Sequence, residues 1–249
     1  MRTNHFLAAL RGGAPQLGLW VNFGDPAAVE IAASSGFDWL LLDNEHAPRP
    51  LDTTVRNIVS AEAHRTPAIV RVRELEGIGP LLDAGCQSLL VPMVETAEQA
   101  RAITRACEFP PRGTRGVSSQ TRAGSWGRDP GFLAGARSEI CLIVQIESAL
   151  GVRNVETILG VEGVDAVFVG PADLAATLGH LGEPGHPSVR EAVGQVTAAA
   201  QAHGIPLGTL TRDVDSARDH LEQGFAFVGV GTDTALFARA LADLRRNFS

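Results

Sequence analysis

The sequence of 249 residues contains no lysine and no tyrosine, so all 21 of its basic residues are arginine. Schiff-base catalysis, attachment of pyridoxal phosphate (PLP) and the lysine of a phosphate-binding loop each need the primary amine of a lysine side chain. The absence of lysine therefore excludes all three kinds of chemistry.

Cysteine and long apolar runs are also scarce. The three cysteines, Cys86, Cys107 and Cys141, form no CxxC motif, which predicts reduced and mostly buried thiols rather than a disulfide framework or a zinc site. No apolar run approaches the roughly 18 to 20 residues that cross a bilayer. The first residues, MRTNHFLAALRGG, lack the apolar core and cleavage site of a signal peptide. We therefore expect a cytoplasmic protein with no membrane partner.

Basic charge is in deficit, because the formal net charge is −7 and the pI is near 5.5. Nucleic-acid binding needs a concentrated basic surface, so the sequence predicts no nucleic-acid partner and favours small molecules as ligands. Hydrophobic residues make up 45% of the chain, enough for a large core, and no linker divides it. We expect residues 1–249 to form one domain with a long insert at about 109–130.

Short apolar runs bounded by turn residues alternate with segments of helical spacing. The predicted strands are residues 17–22, 38–43, 67–72, 86–92, 141–146, 164–170, 205–210 and 225–231. The predicted helices are residues 26–35, 51–64, 77–83, 97–107, 150–159, 188–203, 214–223 and 235–246. Strands that are apolar on both faces and alternate with helices indicate a parallel sheet buried on both sides.

The number of these units decides between two parallel folds. Eight of them in about 250 residues match the size of a (β/α)8 TIM barrel. A doubly wound sheet is the alternative, but it would place a glycine-rich fingerprint after the first strand. The segment LGLWVNFGDP contains no GxGxxG motif. The sequence therefore predicts an α/β fold of the (β/α)8 barrel type.

Polar side chains follow four of the predicted strands where each strand ends. They are Asp43, Glu45 and His46 in the motif LLLDNEHAP, Arg71 after the third strand, Gln145 and Glu147 on the fifth, and Asp173 after the sixth. Catalytic residues of such barrels come from the carboxyl ends of several strands, so we expect these side chains to share one cavity.

Glu147 and Asp173 are the candidate metal ligands. Two carboxylates without cysteine form a hard oxygen site that suits Mg²⁺ or Mn²⁺. The alternative is that each residue caps the helix that follows it, in ESALGV and in DLAATL.

Three further residues have one structural and one catalytic interpretation. His46 is either a surface loop histidine or, held in one tautomer beside Asp43, a general base. Arg71 ends a buried strand and therefore needs a partner, either an internal acid or the carboxylate of a substrate. The position of Asp83 at the end of a helix indicates, taken alone, a capping or solvated residue.

Several long motifs are specific enough to compare with known families. They are LLLDNEHAP, AIVRV, LLDAGCQSLLVPMVETAEQA, FPPRGTRGV, VQIES and GVDAVFVGPADLAATLGHLGEPGHP. These motifs closely resemble the HpcH/HpaI aldolases, and the likeness extends from LGLW at residue 17 to VGVGTDTALF, which ends at residue 237.

The resemblance implies a (β/α)8 barrel of the phosphoenolpyruvate/pyruvate group and a class II pyruvate aldolase. Such an enzyme uses a divalent metal ion, Mg²⁺, Mn²⁺ or Co²⁺, to add pyruvate enolate reversibly to an aldehyde, which gives a 4-hydroxy-2-oxo acid. The implied partners are therefore pyruvate, an aldehyde and further copies of the chain, commonly in a hexamer built as a trimer of dimers.

The resemblance also implies roles for the residues at the strand ends. Glu147 and Asp173 hold the metal ion, and Gln145 and the backbone of Ala172 contact pyruvate. Arg71 stabilises the enolate.

Proton transfer is implied for two residues. His46 accepts the proton of pyruvate, and Asp83 raises the basicity of this histidine. The chain departs from the family pattern at Asn44, where glycine or threonine is usual, and at Arg73 and Glu74 near the mouth, which bear on the aldehyde preference.

Several alternatives remain open. A related metal-dependent lyase on the same barrel, such as an oxaloacetate decarboxylase or a citryl-CoA-type lyase, is the nearest, and a non-catalytic barrel that binds a keto acid is another. The arginine-rich residues 112–128 form a solvated loop, a subunit contact or a clamp for an acidic aldehyde. His180 and His186, in the loop GHLGEPGHP, receive no chemical role.

Overall fold

The structure, a computed structural model, describes residues 2–248. Its strands are β1 (Gln16–Val21), β2 (Trp39–Asp43), β3 (Ala68–Arg71), β4 (Ser88–Val91), β5 (Cys141–Ile146), β6 (Ala166–Val169), β7 (Leu207–Leu210) and β8 (Phe227–Thr232). Its helices are α1 (His5–Gly12), α2 (Pro26–Ala33), α3 (Leu51–Ala63), α4 (Ile78–Asp83), α5 (Ala97–Cys107), α6 (Phe132–Gly135), α7 (Ala149–Arg153), α8 (Val155–Leu159), α9 (Pro171–Thr177), α10 (Pro187–His203), α11 (Val214–Glu222) and α12 (Asp233–Arg246). Within residues 2–248, no helix has the length and apolar character to span a bilayer.

The eight strands form a closed barrel in chain order, and every neighbouring pair is parallel. The predicted (β/α)8 barrel is confirmed, and all eight predicted strands lie within two residues of their observed bounds. The predicted helix 150–159 is two short helices, α7 and α8, that meet at Asn154. Helices α1, α6 and α9 were absent from the helix prediction.

The barrel interior is filled by pairing small residues with aromatic ones on neighbouring strands. Gly18 lies beside Trp39, and a β-carbon added at Gly18 would approach the Trp39 ring to 2.1 Å. Gly208 lies beside Phe227 in the same way, with a corresponding distance of 2.3 Å. Glycine at these two positions therefore makes room for the rings that fill the lower part of the barrel.

Helix α1 closes the amino-terminal end of the barrel. The buried ring of Phe6 packs edge-on against Trp39, the first residue of β2, and Phe227, the first residue of β8, at centroid distances of 6.2 and 5.4 Å. The core therefore extends to this end, whereas the polar residues collect at the other.

The three cysteines lie in the interior as unpaired thiols. Burial raises the pKa of the Cys86 and Cys107 thiols to about 12 and raises that of Cys141 as well, so all three stay protonated. The prediction of reduced, buried thiols is confirmed.

The long insert contacts the amino-terminal end of the barrel rather than its mouth. Arg115 makes an ion pair of 2.7 Å with Asp83, at the end of α4, and Arg122 pairs with Glu62 near the end of α3. Both helices end just before the strands that follow them, so these contacts lie away from the strand carboxyl ends. Of the alternatives left open for this insert, a clamp over an aldehyde of the same chain therefore does not fit these two arginines.

Candidate active site

An ion pair between neighbouring strands organises one half of the mouth. Asp43 and Arg71 are the last residues of β2 and β3, and the strand register places them side by side. Arg71 Nε donates to Asp43 Oδ1 at 2.9 Å and Nη2 donates to Oδ2 at 2.6 Å, with both side chains buried. Burial alone would raise the pKa of Asp43, but the hydrogen bonds and charge of Arg71 outweigh it and hold that pKa below its usual value. Asp43 is therefore a carboxylate that orients the guanidinium.

The carboxylate of Asp43 has no capacity left for an imidazole. Besides Arg71, it accepts hydrogen bonds from the indole N–H of Trp20 at 3.1 Å and from the backbone N–H groups of Glu45 and His46 at 2.9 and 3.3 Å. The side chain of His46 is exposed, and among the described residues no hydrogen bond to its ring is found. The expectation that Asp43 holds the His46 tautomer is corrected: Asp43 binds Arg71 and shapes the turn.

Two residues that the sequence interpretation left without a role also contact Arg71. The guanidinium lies over the ring of Trp20, 4.8 Å from its centroid, and Nη1 lies 2.9 Å from Glu45 Oε2 in a second ion pair. Trp20 points into the barrel like Gly18, two residues earlier on β1. Because side chains alternate between the two faces of a strand, this spacing is a sequence signal that could have predicted an inward-facing Trp20. The motif LLLDNEHAP contains Glu45, but the sequence does not indicate that Glu45 pairs with Arg71.

Glu147 organises the other half of the mouth. It follows β5 directly, and its side chain is 1% exposed. Its Oε1 accepts the backbone N–H of Met93 at 2.9 Å, and its Oε2 accepts the Gln145 amide at 2.7 Å. A β-carbon added at Gly170 would lie 2.6 Å from Glu147 Oε2, so only glycine leaves space for the carboxylate here.

Neither candidate metal ligand caps a helix. Ser148, not Glu147, caps α7 by accepting the N–H of Gly151 at 3.0 Å. Helix α9 begins after Gly170 without a side-chain cap, and Asp173 lies exposed in its first turn. The alternative that these two carboxylates serve as helix caps is therefore wrong.

The electrostatics around Glu147 favour a cation. Burial raises the pKa of Glu147 to about 8; the N–H of Met93 and the charge of Arg71 oppose this shift, while the negative charges of Asp173 and Glu45 add to it. The two hydrogen-bond donors to Glu147 in the described structure are both neutral. In addition, Gln145 Oε1 is buried and finds no hydrogen-bond partner within residues 2–248. A buried acid, a nearby second acid and an unpaired amide oxygen are a donor set that fits a hard divalent cation and a polar ligand.

Residues 16–240 of the chain match the family model described as HpcH/HpaI aldolase/citrate lyase. The chain belongs to this family. It is 47% identical to a hydroxypyruvate/pyruvate aldolase of Deinococcus radiodurans, across 99% of this chain and 90% of that protein. It is 43% identical to a 4-hydroxy-2-oxo-heptane-1,7-dioate aldolase of Escherichia coli, across 98% of this chain and 95% of that protein.

A solved structure of the same family has the same fold. A HpcH/HpaI aldolase/citrate lyase family protein from Burkholderia cenocepacia J2315 is 38% identical, with a TM-score of 0.94 and coverage of 99% of both chains. The predicted family and the predicted enzyme class, a carbon–carbon lyase of the aldolase type, are thereby confirmed. The alternative of a non-catalytic barrel is set aside.

Not every predicted site residue of this HpcH/HpaI family member comes to the mouth. Asp83 lies at the amino-terminal end of the barrel, where it pairs with Arg115, whose guanidinium stacks on Phe109 at 4.6 Å. Within one chain, Asp83 is therefore not placed to act on His46, and its effect on the basicity of that residue stays a prediction. Ala172 is exposed in the first turn of α9.

The departures from the family pattern lie at the surface or in the turn after β2. Asn44 Oδ1 accepts the hydroxyl of Thr54 at 3.2 Å, so Asn44 ties this turn to α3. Arg73 and Glu74 follow β3 and are both exposed. Their effect on aldehyde preference stays a prediction.

The raised pKa of Glu147 predicts a pH-dependent stability of the metal-free protein. The folded state should hold one more proton than the unfolded state between pH 4.5, the ordinary pKa of this group, and about 8. The contribution of protonated Glu147 to the free energy of unfolding is therefore complete below pH 4.5 and is lost as the pH rises towards 8. Urea unfolding in chelator should show the wild type losing up to about 1.4 kcal/mol per pH unit relative to Glu147→Gln in this range.

The matched control is Glu98→Gln, which changes an exposed glutamate in the first turn of α5. Its difference from wild type should not vary with pH across the same range. An equal pH dependence in wild type and Glu147→Gln would contradict the assignment of the proton to Glu147.

Proposed function

We propose that this chain is a divalent-metal-dependent pyruvate aldolase that adds pyruvate enolate reversibly to an aldehyde and forms a 4-hydroxy-2-oxo acid. The observation that carries the proposal is the buried carboxylate of Glu147, next to Asp173 and in the same mouth as the oriented guanidinium of Arg71. The names of the relatives from Deinococcus radiodurans and Escherichia coli, a hydroxypyruvate/pyruvate aldolase and a 4-hydroxy-2-oxo-heptane-1,7-dioate aldolase, support this substrate class.

Glu147 and Asp173 would hold the divalent cation, which fits Mg²⁺, Mn²⁺ or Co²⁺ because the donors are oxygen atoms. When bound, the cation supplies positive charge that stabilises a developing enolate. Gln145, with its unpaired amide oxygen, and the backbone of Ala172 would contact the pyruvate end of the substrate.

Arg71 would stabilise the negative charge that develops when pyruvate loses a methyl proton. Its guanidinium is held by Asp43 on one edge and by the ring of Trp20 on one face, so it need not reorganise during the reaction. Asp43 is then a positioning residue. His46, exposed on the turn that Asp43 shapes, would accept the proton at an imidazole nitrogen.

The proposed reaction is tested with chelator-treated enzyme, pyruvate and a panel of aldehydes, followed by product analysis. We expect no 4-hydroxy-2-oxo acid without metal and restored formation when Mg²⁺ or Mn²⁺ is added. Oxaloacetate belongs in the panel, because its decarboxylation passes through the same enolate. Glu147→Gln should need a much higher metal concentration than Glu98→Gln, the control. Full aldol activity in the presence of chelator would contradict the mechanism.

The role of Arg71 predicts a large effect on turnover. Arg71→Ala should lower kcat by on the order of 10²-fold or more, because it removes a preorganised charge. Arg71→Lys should restore only part of the loss, since a lysine cannot make the bidentate contact with Asp43.

Arg56→Ala provides the control for Arg71, because Arg56 is an exposed arginine paired with Asp52 on α3. Circular dichroism must show that each variant is folded, because removing Arg71 leaves Asp43 buried without its partner. Near-normal turnover in folded Arg71→Ala would remove its assigned role.

We also propose that the chain assembles into a homo-oligomer, with a hexamer built as a trimer of dimers as the expected form. Helix α12 has no buried residue, and Leu236, Phe237, Leu241 and Leu244 are all exposed, Phe237 at 55%. A helix with this many exposed apolar residues is typical of a surface that is covered in an assembly. A second copy of the chain is the partner that is always present at matching concentration.

The assembly predicts a mass of several chains in light scattering after size exclusion. Leu241→Glu combined with Leu244→Glu should reduce this mass, because it places two charges in the covered surface. Val214→Glu, at an exposed valine on α11, is the control and should leave the mass unchanged. A monomeric wild type would contradict the proposal.

A further inference from the structure

The loop between α9 and α10 brings together three side chains to which the sequence interpretation assigned no chemistry. His180, Glu183 and His186 each offer one ligand atom, and these three atoms all lie within 4.8 Å of one another. The two histidines are half-buried and the glutamate is exposed. Two imidazoles and a carboxylate are the side chains that bind transition metals most often.

The backbone of the loop makes this proximity a property of the fold. The N–H of His180 donates to the carbonyl of Ala175 at 2.8 Å, which ties the loop to α9. The N–H of Glu183 donates to the carbonyl of His180, and the N–H of His186 to that of Glu183, each at 2.9 Å. Two successive turns, 180–183 and 183–186, therefore bring the backbones of His180, Glu183 and His186 close together. Gly179, at the exit from α9, and Gly182, inside the first of the two turns, both have a φ near +85°, which glycine adopts without strain.

The imidazole rings of His180 and His186 are stacked, with centroids 3.4 Å apart and planes 15° from parallel. The lone pairs of parallel rings lie in parallel planes, so one ring must tilt before both can bind one ion. His186 is the anchored ring, because its Nδ1 lies 2.9 Å from the Ser188 hydroxyl. Nδ1 also accepts the backbone N–H of Ser188 at 3.3 Å. When a cation binds Nε2, an Nδ1–H that donates to the hydroxyl would replace this contact, as in metal sites whose histidine is oriented by a second hydrogen bond. His180 has no such anchor among the described contacts and is the ring that tilts.

We propose that His180, Glu183 and His186 bind a divalent d-block cation, such as Zn²⁺, at a site separate from Glu147 and Asp173. Three protein ligands and a water would complete a four-coordinate site. Tetrahedral bonds of about 2.0 to 2.1 Å put ligand atoms roughly 3.4 Å apart, so separations of up to 4.8 Å must shorten by up to about 1.4 Å. The glycine-rich loop can accommodate this change.

The chemistry of the two sites differs. Glu147 and Asp173 offer only oxygen, which suits Mg²⁺, whereas imidazole nitrogen favours zinc, cobalt, nickel or copper over magnesium. Helix α9 carries Asp173 in its first turn and leads directly into the histidine loop, so the two sites lie at opposite ends of one seven-residue helix. The inference does not depend on the proposed aldolase reaction, because metal binding is measured without substrate.

Metal stoichiometry tests the proposal. Metal-stripped wild-type protein is titrated with ZnCl₂ by calorimetry, and bound zinc is measured after desalting. We expect His180→Gln and Glu183→Gln each to bind one equivalent fewer than wild type. With Co²⁺ as the probe, the strong visible absorption of a four-coordinate nitrogen site should be present in wild type and lost in both variants. His203→Gln, which changes a histidine paired with Glu156, is the control and should match wild type.

Two outcomes would overturn the proposal. One is that His180→Gln and Glu183→Gln bind as much zinc as wild type. The other is that Glu147→Gln loses the cobalt absorption, which would place the nitrogen-ligated ion at the other centre. His186→Gln is left out because His186 also caps α10 by accepting the N–H of Ser188, so its loss would perturb the helix. Retained Mg²⁺-dependent activity in His180→Gln would show that the two sites are separate.

Discussion

The register of the closed parallel barrel is the constraint on which the mouth of this protein depends. It places Asp43 directly beside Arg71, so that two opposite charges from adjacent strands meet as a bidentate pair. It also places Gln145 and Glu147 on the same side of the chain, two residues apart. A shift of one residue in either strand would turn these groups outward into the layer of helices.

The charges in the mouth divide into a compensated and an uncompensated half. In the first half, Arg71 is shared by Asp43 and Glu45, and the aromatic face of Trp20 supports the guanidinium. In the second half, Glu147 has only neutral hydrogen-bond donors, and a second acid, Asp173, lies on the next βα unit. Ionising the buried Glu147 beside a second acid is costly without a cation. This division is the physical basis for assigning a metal ion to one half and enolate stabilisation to the other.

The two ends of the barrel serve different purposes. Helix α1 and the arginine-rich insert pack across the amino-terminal end, where Arg115 and Arg122 bind acids at the ends of α4 and α3. The carboxyl end carries the short segments that hold polar groups. Asp83 lies at the amino-terminal end, away from His46 of the same chain. An influence of Asp83 on His46 would therefore need the Asp83 of one chain to approach the His46 of another. On the outside of the barrel, a single chain leaves the apolar side chains of α12 exposed to solvent.

The sequence by itself determined the barrel and most members of the site. Eight apolar runs alternating with helical spacing left little choice of fold, and the missing lysine excluded imine chemistry. The tertiary structure alone decided how these members are used. It showed that Ser148 rather than Glu147 caps α7, that Asp43 is saturated by its donors, and that His180 and His186 stack across two turns. Such facts depend on distances between atoms from separate segments and on the dihedral angles of loops. A pattern along one dimension records which residues are present, but not which lone pairs are already occupied.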